Sequence, residues 1–433
     1  MNNEAPSIAE TRLTRRLGTT DAVVLGLGSM LGAGVFAVFG PAASVAGAGL
    51  LIALGVAAVI AYANATASAQ LAARYPASGG TYVYGRRRLG PAWGFLAGWG
   101  FVVGKTASCA AMALTFGAYT WPAHPTLPAI AAVVVLTIVN CCGITKTARL
   151  TRVLVALTLL VLIAVIVAAL VGGSADPARL TGWAGHGPLA VLQAAGLLFF
   201  AFAGYARIAT LGEEVRDPTR AIPRTIPVAL GIVVVTYALV AIAALLAVGP
   251  DTLAATTAPL ATVTDSGSLR WLTPLVSVGG AVASAGVLLS LMAGIGRTTL
   301  AMARDHELPH LLAAVHRRFR VPHRAELLLG ALVVGIVATV DPRGAIGFSS
   351  VTILTYYAIT NVAAFTLPGE QRRWLRPLAV FGASGCALLA LTLPINSVLA
   401  GVAVLSLGLL GRTAATVWTR HHPPPRPSGQ GSR

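Results

Sequence analysis

The chain has 433 residues, of which 56% are hydrophobic and only 10% are charged, so it cannot be a soluble protein of ordinary composition. Its 31 Lys and Arg residues against 14 Asp and Glu residues give a net charge of +17, which in a soluble protein would point to nucleic acid. Because these charges lie between long apolar runs, we interpret them as topology signals and expect a lipid bilayer, with no nucleic-acid partner.

Hydropathy predicts twelve membrane-spanning helices, since each span needs about 20 largely apolar residues. The predicted spans are 20–43, 47–72, 92–119, 126–143, 150–172, 187–212, 225–248, 271–301, 324–340, 345–367, 374–391 and 393–411. We therefore predict an all-α integral membrane fold with a transporter domain over 20–412. Segment 1–19 precedes it, and the polar, Pro-rich segment 413–433 is predicted to be a disordered tail.

The basic residues are distributed unevenly about these spans. With a cytoplasmic amino terminus, 26 of the 31 Lys and Arg residues fall in inside segments, and only Arg179, Arg270 and Arg343 fall outside. The remaining two, Lys105 and Arg207, lie within spans. The positive-inside rule thus predicts that both termini are cytoplasmic. The sequence has no cleavable signal or organelle-targeting pattern, so we expect a multi-pass plasma-membrane protein.

The first and sixth spans are both interrupted by small residues at their centres. Span one contains GLGSMLGAGVF and span six contains FFAFAGYARIATLGEE. Gly28 and Gly32 alone could simply allow close helix packing. A matching interruption five spans later instead favours an inverted-repeat transporter that binds its substrate where both helices unwind. The first repeat would cover about 20–172 and the second about 187–367, with 374–411 outside the repeat.

Four segments carry a family resemblance. They are GSMLGAGVF in span one, YPASGGTYVYGRRRLGPAWGFLAGW between spans two and three, FFAFAGYARIATLGEEVRDPTRAIPRTI around span six, and RTTLAMARDHELP at the end of span eight. In this order they resemble the motifs of the amino acid-polyamine-organocation permeases. The resemblance implies the leucine-transporter type of fold, with helices one and six broken.

The same resemblance implies a site for an amino acid at the two breaks. The substrate carboxylate would meet backbone amides near Gly32, Ala33 and Gly34, and its ammonium would meet carbonyls near Phe202, Ala203 and Gly204. Tyr205 would be an aromatic lid over the substrate, or else a residue packed between helices. Small residues including Ser29, Ala33 and Ala206 would shape the side-chain pocket.

The sequence departs from the sodium-coupled pattern of related carriers. Thr158 stands where some carriers have a lysine, and Ala285 and Gly286 stand where others have paired hydroxyls. No carboxylate is predicted at the centre of a span, the nearest being Glu213 and Glu214 at the end of span six. Lys105 and Arg207 are costly charges inside spans. They could compensate charge in place of sodium, exchange a proton, or be structural, and they favour neutral substrates over cationic ones.

Charged residues also cluster at the predicted cytoplasmic ends of spans six and eight. Arg216 and Asp217 follow span six, and Arg304 and Asp305 end span eight. Basic and acidic residues that alternate at one membrane face can form ion pairs that close a gate and break when the gate opens during transport. Positive-inside anchoring is the alternative explanation.

A different class is suggested by His306, Glu307 and His310, which match the H-E-x-x-H signature of zinc proteases. Pro309 argues against it, because proline disrupts the helical turn that must present both histidines. The sequence therefore predicts a secondary active transporter for a neutral amino acid, working by alternating access with proton coupling or exchange. It predicts neither enzymatic activity nor a cofactor or metal, and it leaves the oligomeric state open. The alternatives are an amine or polyamine exchanger and, in another class, a membrane-embedded zinc protease.

Overall fold

The computed structural model describes residues 18–75, 79–143, 148–181, 187–205, 215 and 217–421. The regular structure of these ranges is helical, which confirms the predicted all-α fold. The helices are α1 (Thr19–Met30), α2 (Ala33–Ala37), α3 (Phe39–Ala46), α4 (Leu50–Arg74), α5 (Thr81–Arg88), α6 (Pro91–Thr120), α7 (Thr126–Cys141), α8 (Ala148–Val171), α9 (Gly187–Phe202), α10 (Pro218–Ala255), α11 (Pro259–Asp265), α12 (Thr273–Arg304), α13 (His323–Thr339), α14 (Pro342–Phe365), α15 (Arg376–Thr392) and α16 (Ile395–His421).

The helices have the lengths and compositions that a bilayer requires. Nine helical segments of the described chain are long and apolar enough to cross a membrane, and α7 and α15 are shorter apolar helices. With the 17-residue helix α13, these twelve segments follow the order of the twelve predicted spans, although Phe39–Arg74 includes the end predicted for span one and the sixth segment is described only to Tyr205. A helix satisfies its own backbone hydrogen bonds, which is why helices can cross the apolar core.

The first span is interrupted, as its glycines predict. Helix α1 ends at Met30, and α2 begins at Ala33. Between them, Gly32 adopts φ −71° and ψ −144°, which are not helical angles. A second short helix, α3, continues the span after Val38 and ends at Gly47, whose φ of 53° favours glycine.

The sixth span loses its α-helical form near the level of that break. Helix α9 ends at Phe202 and continues as a 3-10 turn over Ala203–Tyr205. Residues 206–214 lie outside the described ranges, among them Ala206, Arg207, Glu213 and Glu214.

Two sets of helices surround these breaks. In one set, α1 and α3 pack against α10, and α4 packs against α9 and α10. In the other, α6 packs against α12 and α14, and α7 packs against α13. Helix α16 joins the outside of the second set through α6 and α14. The breaks in α1–α2 and α9 therefore lie at the centre of the molecule.

Candidate functional site

The two broken spans touch at their interruptions. The Ser29 hydroxyl oxygen lies 2.8 Å from the Gly26 carbonyl oxygen of its own helix and 2.8 Å from the Gly204 carbonyl oxygen of the 3-10 turn, so its one proton is shared between these two acceptors. Ser29 is the last residue but one of α1, so its backbone can still follow the helix while its side chain reaches the other break. This contact joins two segments that are 175 positions apart in the sequence.

Three glycines allow this close approach. A Cβ atom at Gly204 would lie 2.2 Å from the Ser29 carbonyl oxygen. One at Gly34 would lie 2.9 Å from the Ala201 Cα atom, and one at Gly32 would lie 1.9 Å from Cγ2 of Val287 in α12. Real Cβ atoms do not approach other atoms so closely, so backbone packing at the breaks requires glycine at these positions.

Tyrosines from three other helices satisfy backbone carbonyls at or beside the breaks. The Tyr237 hydroxyl of α10 is within hydrogen-bond distance of the carbonyls of Met30 and Ala201. Tyr357 of α14 donates to the Ala203 carbonyl at 3.1 Å, and Tyr119 of α6 donates to the Phe36 carbonyl at 3.1 Å. Helix interruptions leave carbonyls without helical partners, and a buried unsatisfied carbonyl is costly. Neutral hydroxyl groups therefore stabilise the broken backbone.

The predicted aromatic residue Tyr205 is completely buried. Its ring lies 4.9 Å from the ring of Tyr357, which also contacts Phe199 edge-on at 5.7 Å. Phe202, at the end of α9, is equally buried and lies 5.2 Å from the Tyr237 ring. In this conformation Tyr205 is packed between helices.

Lys105 lies in the middle of α6 and is 8% exposed. It forms no ion pair within 4.0 Å in the described part of the chain. Its neighbour Gly104 packs against Thr352 of α14, where a Cβ would lie 2.1 Å from the hydroxyl oxygen. Tyr357, which binds the Ala203 carbonyl, is five residues further along α14, about 7.5 Å at helical rise. Lys105 thus lies about one and a half helical turns from the level at which Tyr357 reaches the second break.

The positions where related carriers have a lysine or paired hydroxyls offer no free hydroxyl in this protein. Thr158 of α8 donates to the Leu154 carbonyl of its own helix at 2.8 Å. Ala285 and Gly286 instead line an apolar cleft of about 680 Å³ between α6, α7, α8 and α12. Within α12, the nearby Ser284 hydroxyl bonds the Gly280 carbonyl at 2.7 Å.

An ion-pair cluster joins three helices at the end of the molecule that carries Arg86, Arg304 and Arg412, here called the basic end. We define the cluster as Tyr82, Arg86, Asp305, Glu307 and Arg412. Arg86 of α5 lies 3.1 Å from Asp305 and 3.3 Å from Glu307, and Arg412 of α16 lies 3.9 Å from Glu307. Tyr82 donates to Asp305 at 2.5 Å. Burial raises the pKa of the Glu307 carboxyl, against the opposing effects of Tyr82, Arg86 and Arg412.

The other predicted gating residues are placed differently. Asp217, which precedes α10, pairs with Arg220 in the first turn of that helix at 3.8 Å, and both side chains are exposed. Arg304 is exposed at the end of α12 and has no ion pair within 4.0 Å among the described residues. Arg216, like Arg207, lies outside the described ranges. Of the three predicted gating residues that the structure describes, only Asp305 takes part in the cluster.

The H-E-x-x-H segment is not on a helix. Helix α12 ends at Arg304, His306 has a φ of 59°, and the 3-10 helix His310–Ala313 begins only after Pro309. The His306 and His310 ring centroids are 6.1 Å apart, and Glu307 is engaged by Arg86 and Arg412. No group of three or more potential metal ligands occurs within the ranges that the structure describes. The geometry therefore gives no support to a zinc protease.

Two interrupted membrane helices that meet at the centre of a twelve-segment bundle define a helical membrane transporter. Comparisons with known proteins specify the family. A family model described as "Amino acid permease" matches residues 17–410. The chain therefore belongs to the amino acid permease family, and it is a transporter and not an enzyme.

Individual relatives agree with this assignment. An uncharacterized transporter of Mycobacterium tuberculosis (strain ATCC 25618 / H37Rv) is 60% identical over 408 residues, covering 94% of this chain and 93% of the relative. The branched-chain amino acid permease BcaP of Bacillus subtilis is 26% identical, covering 85% of this chain and 84% of its own. Human cationic amino acid transporter 4 is 29% identical, covering 83% of this chain and 61% of its own.

Several residues of interest were missed by the sequence analysis. Tyr119 and Tyr237 each stand in an ordinary apolar run, where nothing local marks the carbonyl that each one binds, whereas Tyr357 stands in the polar stretch FSSVTILTYYAITN of the tenth predicted span. Glu326 is 2% exposed in the first turn of α13, so the expectation that Glu213 and Glu214 are the acids nearest the membrane centre overlooked a buried carboxylate. Its place inside the predicted ninth span was the available signal.

Proposed function

We propose that this protein is a secondary active transporter that moves a neutral amino acid across the plasma membrane by alternating access. The observation that carries the proposal is the Ser29–Gly204 contact, which brings the two interrupted spans together at mid-bundle. Both termini, and with them the basic end, would face the cytoplasm because 26 of the 31 basic residues are assigned to that side.

The breaks offer hydrogen-bond donors for the carboxylate of an amino acid and hydrogen-bond acceptors for its ammonium group. The carboxylate would accept hydrogen bonds from the backbone N–H groups of Gly32, Ala33 and Gly34, which precede or begin a helix. The ammonium would donate to the carbonyls of Phe202, Ala203 and Gly204. Two of these already accept hydroxyl donors, from Tyr357 and Ser29. A carbonyl oxygen has two lone pairs, so the ammonium can share or replace these donors.

The charge near the breaks favours a neutral substrate. Lys105 lies about one and a half helical turns from the level of the second break, without an acidic partner within 4.0 Å in the described chain, so it would repel the side chain of lysine or arginine and the amines of a polyamine. The relatives' names include both branched-chain and cationic substrates. Of these, branched-chain substrates are compatible with the unpaired, buried Lys105. The amine substrates of the exchanger alternative are not, because Lys105 would repel them.

Coupling would not use sodium. A sodium ion needs several oxygen ligands, whereas Ala285 and Gly286 line an apolar cleft and the Thr158 hydroxyl is bonded within its own helix. A proton gradient or amino acid exchange would supply the driving force. Lys105 and Arg207 would compensate the charge of the substrate carboxylate. The acidic and basic residues Arg216, Asp217, Arg304 and Asp305 would serve the cytoplasmic gate.

The proposal is tested by ligand binding to the detergent-purified protein. Leucine, isoleucine, alanine, arginine, glutamate and spermidine are added in turn, and the thermal unfolding temperature is recorded. A ligand that binds the folded state stabilises it by about 2.7 kcal/mol at a hundred times its Kd. We expect a neutral amino acid to raise the unfolding temperature and to be taken up by proteoliposomes.

The variant Ser29→Ala removes the hydroxyl that joins the breaks, and we expect it to lose most of the ligand-induced shift. Ser44→Ala is the matched control, because the Ser44 hydroxyl bonds only the Pro41 carbonyl of its own helix and is exposed. Stabilisation by spermidine or arginine alone would overturn the neutral-substrate proposal. An equal ligand-induced shift of the unfolding temperature in both variants would show that the substrate binds away from the breaks.

A further inference from the structure

Glu326 is an unusual residue in this molecule. Among the described residues, Lys105 and Glu326 are the charged residues that are buried as a whole, and the Glu307 side chain, which is 7% exposed, is paired with Arg86 and Arg412. Glu326 lies in the first turn of α13 and is 2% exposed. An ionised carboxylate buried in this way costs several kcal/mol unless it is paired or hydrogen-bonded.

The groups around Glu326 come from three neighbouring helices. From α7, the Asn140 side-chain amide donates to Glu326 Oε2 at 3.4 Å. From α12, Gly296 packs so closely that a Cβ there would lie 2.3 Å from Glu326 Oε1. Arg297, next in α12, is exposed and makes no ion pair with Glu326 within 4.0 Å, although its charge acts at longer range.

The remaining titratable or charged groups near this carboxyl are cysteines and residues of its own helix. Cys109 of α6 and Cys141 of α7 lie within electrostatic range of Glu326. His323 and Arg324 precede Glu326 in the first turn of α13, and Arg324 is exposed. None of them forms an ion pair with Glu326 in the described residues. The direct polar contact of the Glu326 carboxyl that the structure records is therefore one long hydrogen bond, donated by the neutral Asn140 amide.

The carboxyl is connected to the breaks through two helices. Helix α12 contacts Gly32 through Val287 and Glu326 through Gly296, nine residues or about 13.5 Å further along. On α6, Cys109 lies within range of the charges of both Glu326 and Lys105. A movement of α12 that accompanies opening of the first break would therefore change the surroundings of Glu326.

We propose that Glu326 is the proton-binding site of this transporter. The carboxylate takes up a proton to become a neutral carboxylic acid while it is enclosed between α7, α12 and α13. It releases that proton to water when these helices separate at the basic end. The proton and the amino acid would then cross the membrane in one cycle. The inference rests on the proposed transport function and deepens it by naming the coupled ion and its site.

The first test needs no substrate. Infrared difference spectra of the purified protein are recorded between acid and alkaline pH, and the carbonyl stretch of protonated carboxylic acids is followed. We expect one such band to be absent in Glu326→Gln and present in Glu370→Gln, a control at an exposed carboxylate. Asn140→Ala keeps the carboxyl but removes its N–H donor, which stabilises the ionised form, so the midpoint of that band should move to higher pH. An unchanged band in Glu326→Gln would overturn the proposal.

The second test separates proton coupling from substrate binding. Proteoliposomes are loaded for two assays, uptake driven by an inward proton gradient and counterflow against internal unlabelled amino acid. In Glu326→Gln we expect gradient-driven accumulation to fall at least tenfold. Counterflow should stay within about twofold of the wild-type rate, because exchange does not require proton release. Glu326→Asp should restore part of the accumulation, and Glu370→Gln should behave like the wild type.

The outcomes of the two assays distinguish this inference from the proposed function. Gradient-driven accumulation that survives in Glu326→Gln would overturn the inference alone. Wild-type uptake that does not respond to the proton gradient, with counterflow intact, would also overturn it, while leaving amino acid transport in place. If the wild-type protein transported no amino acid, the proposed function would fail, and the infrared band would still decide whether Glu326 titrates in the folded protein.

Discussion

The centre of the molecule and its basic end are stabilised by different interactions. At the breaks, the hydroxyls of Ser29, Tyr237 and Tyr357 bond backbone carbonyls, and every group involved is neutral. At the basic end, the ion-pair cluster uses two arginines and two carboxylates, with the Arg86 and Asp305 side chains 40% and 45% exposed. Charge is costly in the apolar centre and inexpensive near water, so each region uses the interaction that its surroundings permit.

The difference also predicts how the two regions respond to change. Loss of a buried neutral hydrogen bond leaves a carbonyl unsatisfied, which typically costs about 1–3 kcal/mol. Loss of an exposed ion pair typically costs about 0–1 kcal/mol and depends on salt. Substitutions at the centre should therefore act on stability and transport together, whereas those at the basic end should change the conformational equilibrium with little loss of stability.

The largest effect is expected for Gly204→Val. Its Cβ would lie 2.2 Å from the Ser29 carbonyl oxygen, so the two breaks must separate. Overpacking of this kind typically costs about 1–3 kcal/mol, and we expect uptake to fall to background in proteoliposomes. Gly231→Val is the matched control, since a Cβ at exposed Gly231 has no neighbour within 4 Å. Normal uptake by Gly204→Val would show that the breaks need not touch.

The next effect in size is expected for Tyr237→Phe. The variant keeps the ring, which packs against Phe202, but leaves the Met30 and Ala201 carbonyls without their hydroxyl donor. We expect destabilisation of about 1–3 kcal/mol, measured as a lower thermal unfolding temperature in detergent. Tyr62→Phe, at a tyrosine that is 44% exposed on α4, should change this temperature little. Equal effects in the two variants would contradict a special role for the carbonyls at the breaks.

The sequence predicts the parts of this arrangement that depend on neighbouring residues, but not the contacts between residues that are far apart in the sequence. The glycines at 28, 32 and 34 correctly predict where span one is interrupted, because a missing side chain acts on the local backbone. The length of each apolar run likewise predicts its helix, because hydropathy is also a local property of the sequence. The bonds from Tyr237 to Met30 and from Tyr357 to Ala203 join positions 207 and 154 apart, and no local pattern identifies such partners.

The charged residues illustrate the same limit. Asp305 was expected at a gate, but its partners Tyr82 and Arg86 come from the loop before span three, and Arg412 comes from the last span. Charge counting places all of these residues at one end of the molecule, but only packing brings them together. Glu326 was overlooked because hydropathy averages over a window, so one carboxylate near the start of an apolar helix has little weight.

A smaller effect is expected for Arg412→Gln, which removes one ion pair to Glu307 and the contact of the guanidinium with the Phe95 ring. The Arg412 and Glu307 side chains are only 19% and 7% exposed, but Glu307 keeps Arg86 as a partner, so we expect about 1 kcal/mol of destabilisation. The transport rate should change more than the unfolding temperature if this contact favours one conformation of the cycle. Arg270→Gln, at an exposed arginine outside the cluster, is the control. Raising the salt concentration should reduce the difference between Arg412→Gln and the wild type, and a salt-independent difference would exclude an electrostatic origin.

The smallest effect is expected when sodium is replaced by choline at constant ionic strength. A bound sodium ion would place a full charge in the neutral centre, and it would need oxygen ligands at a place where Ala285 and Gly286 line an apolar cleft. We therefore expect neither the ligand-induced thermal shift nor the initial rate of uptake to change. A rate that rises with sodium and saturates would show that a metal ion binds among the neutral hydroxyls. In that case the contrast between a neutral centre and a charged end would describe only the sodium-free protein, and Lys105 could not be acting in place of the ion.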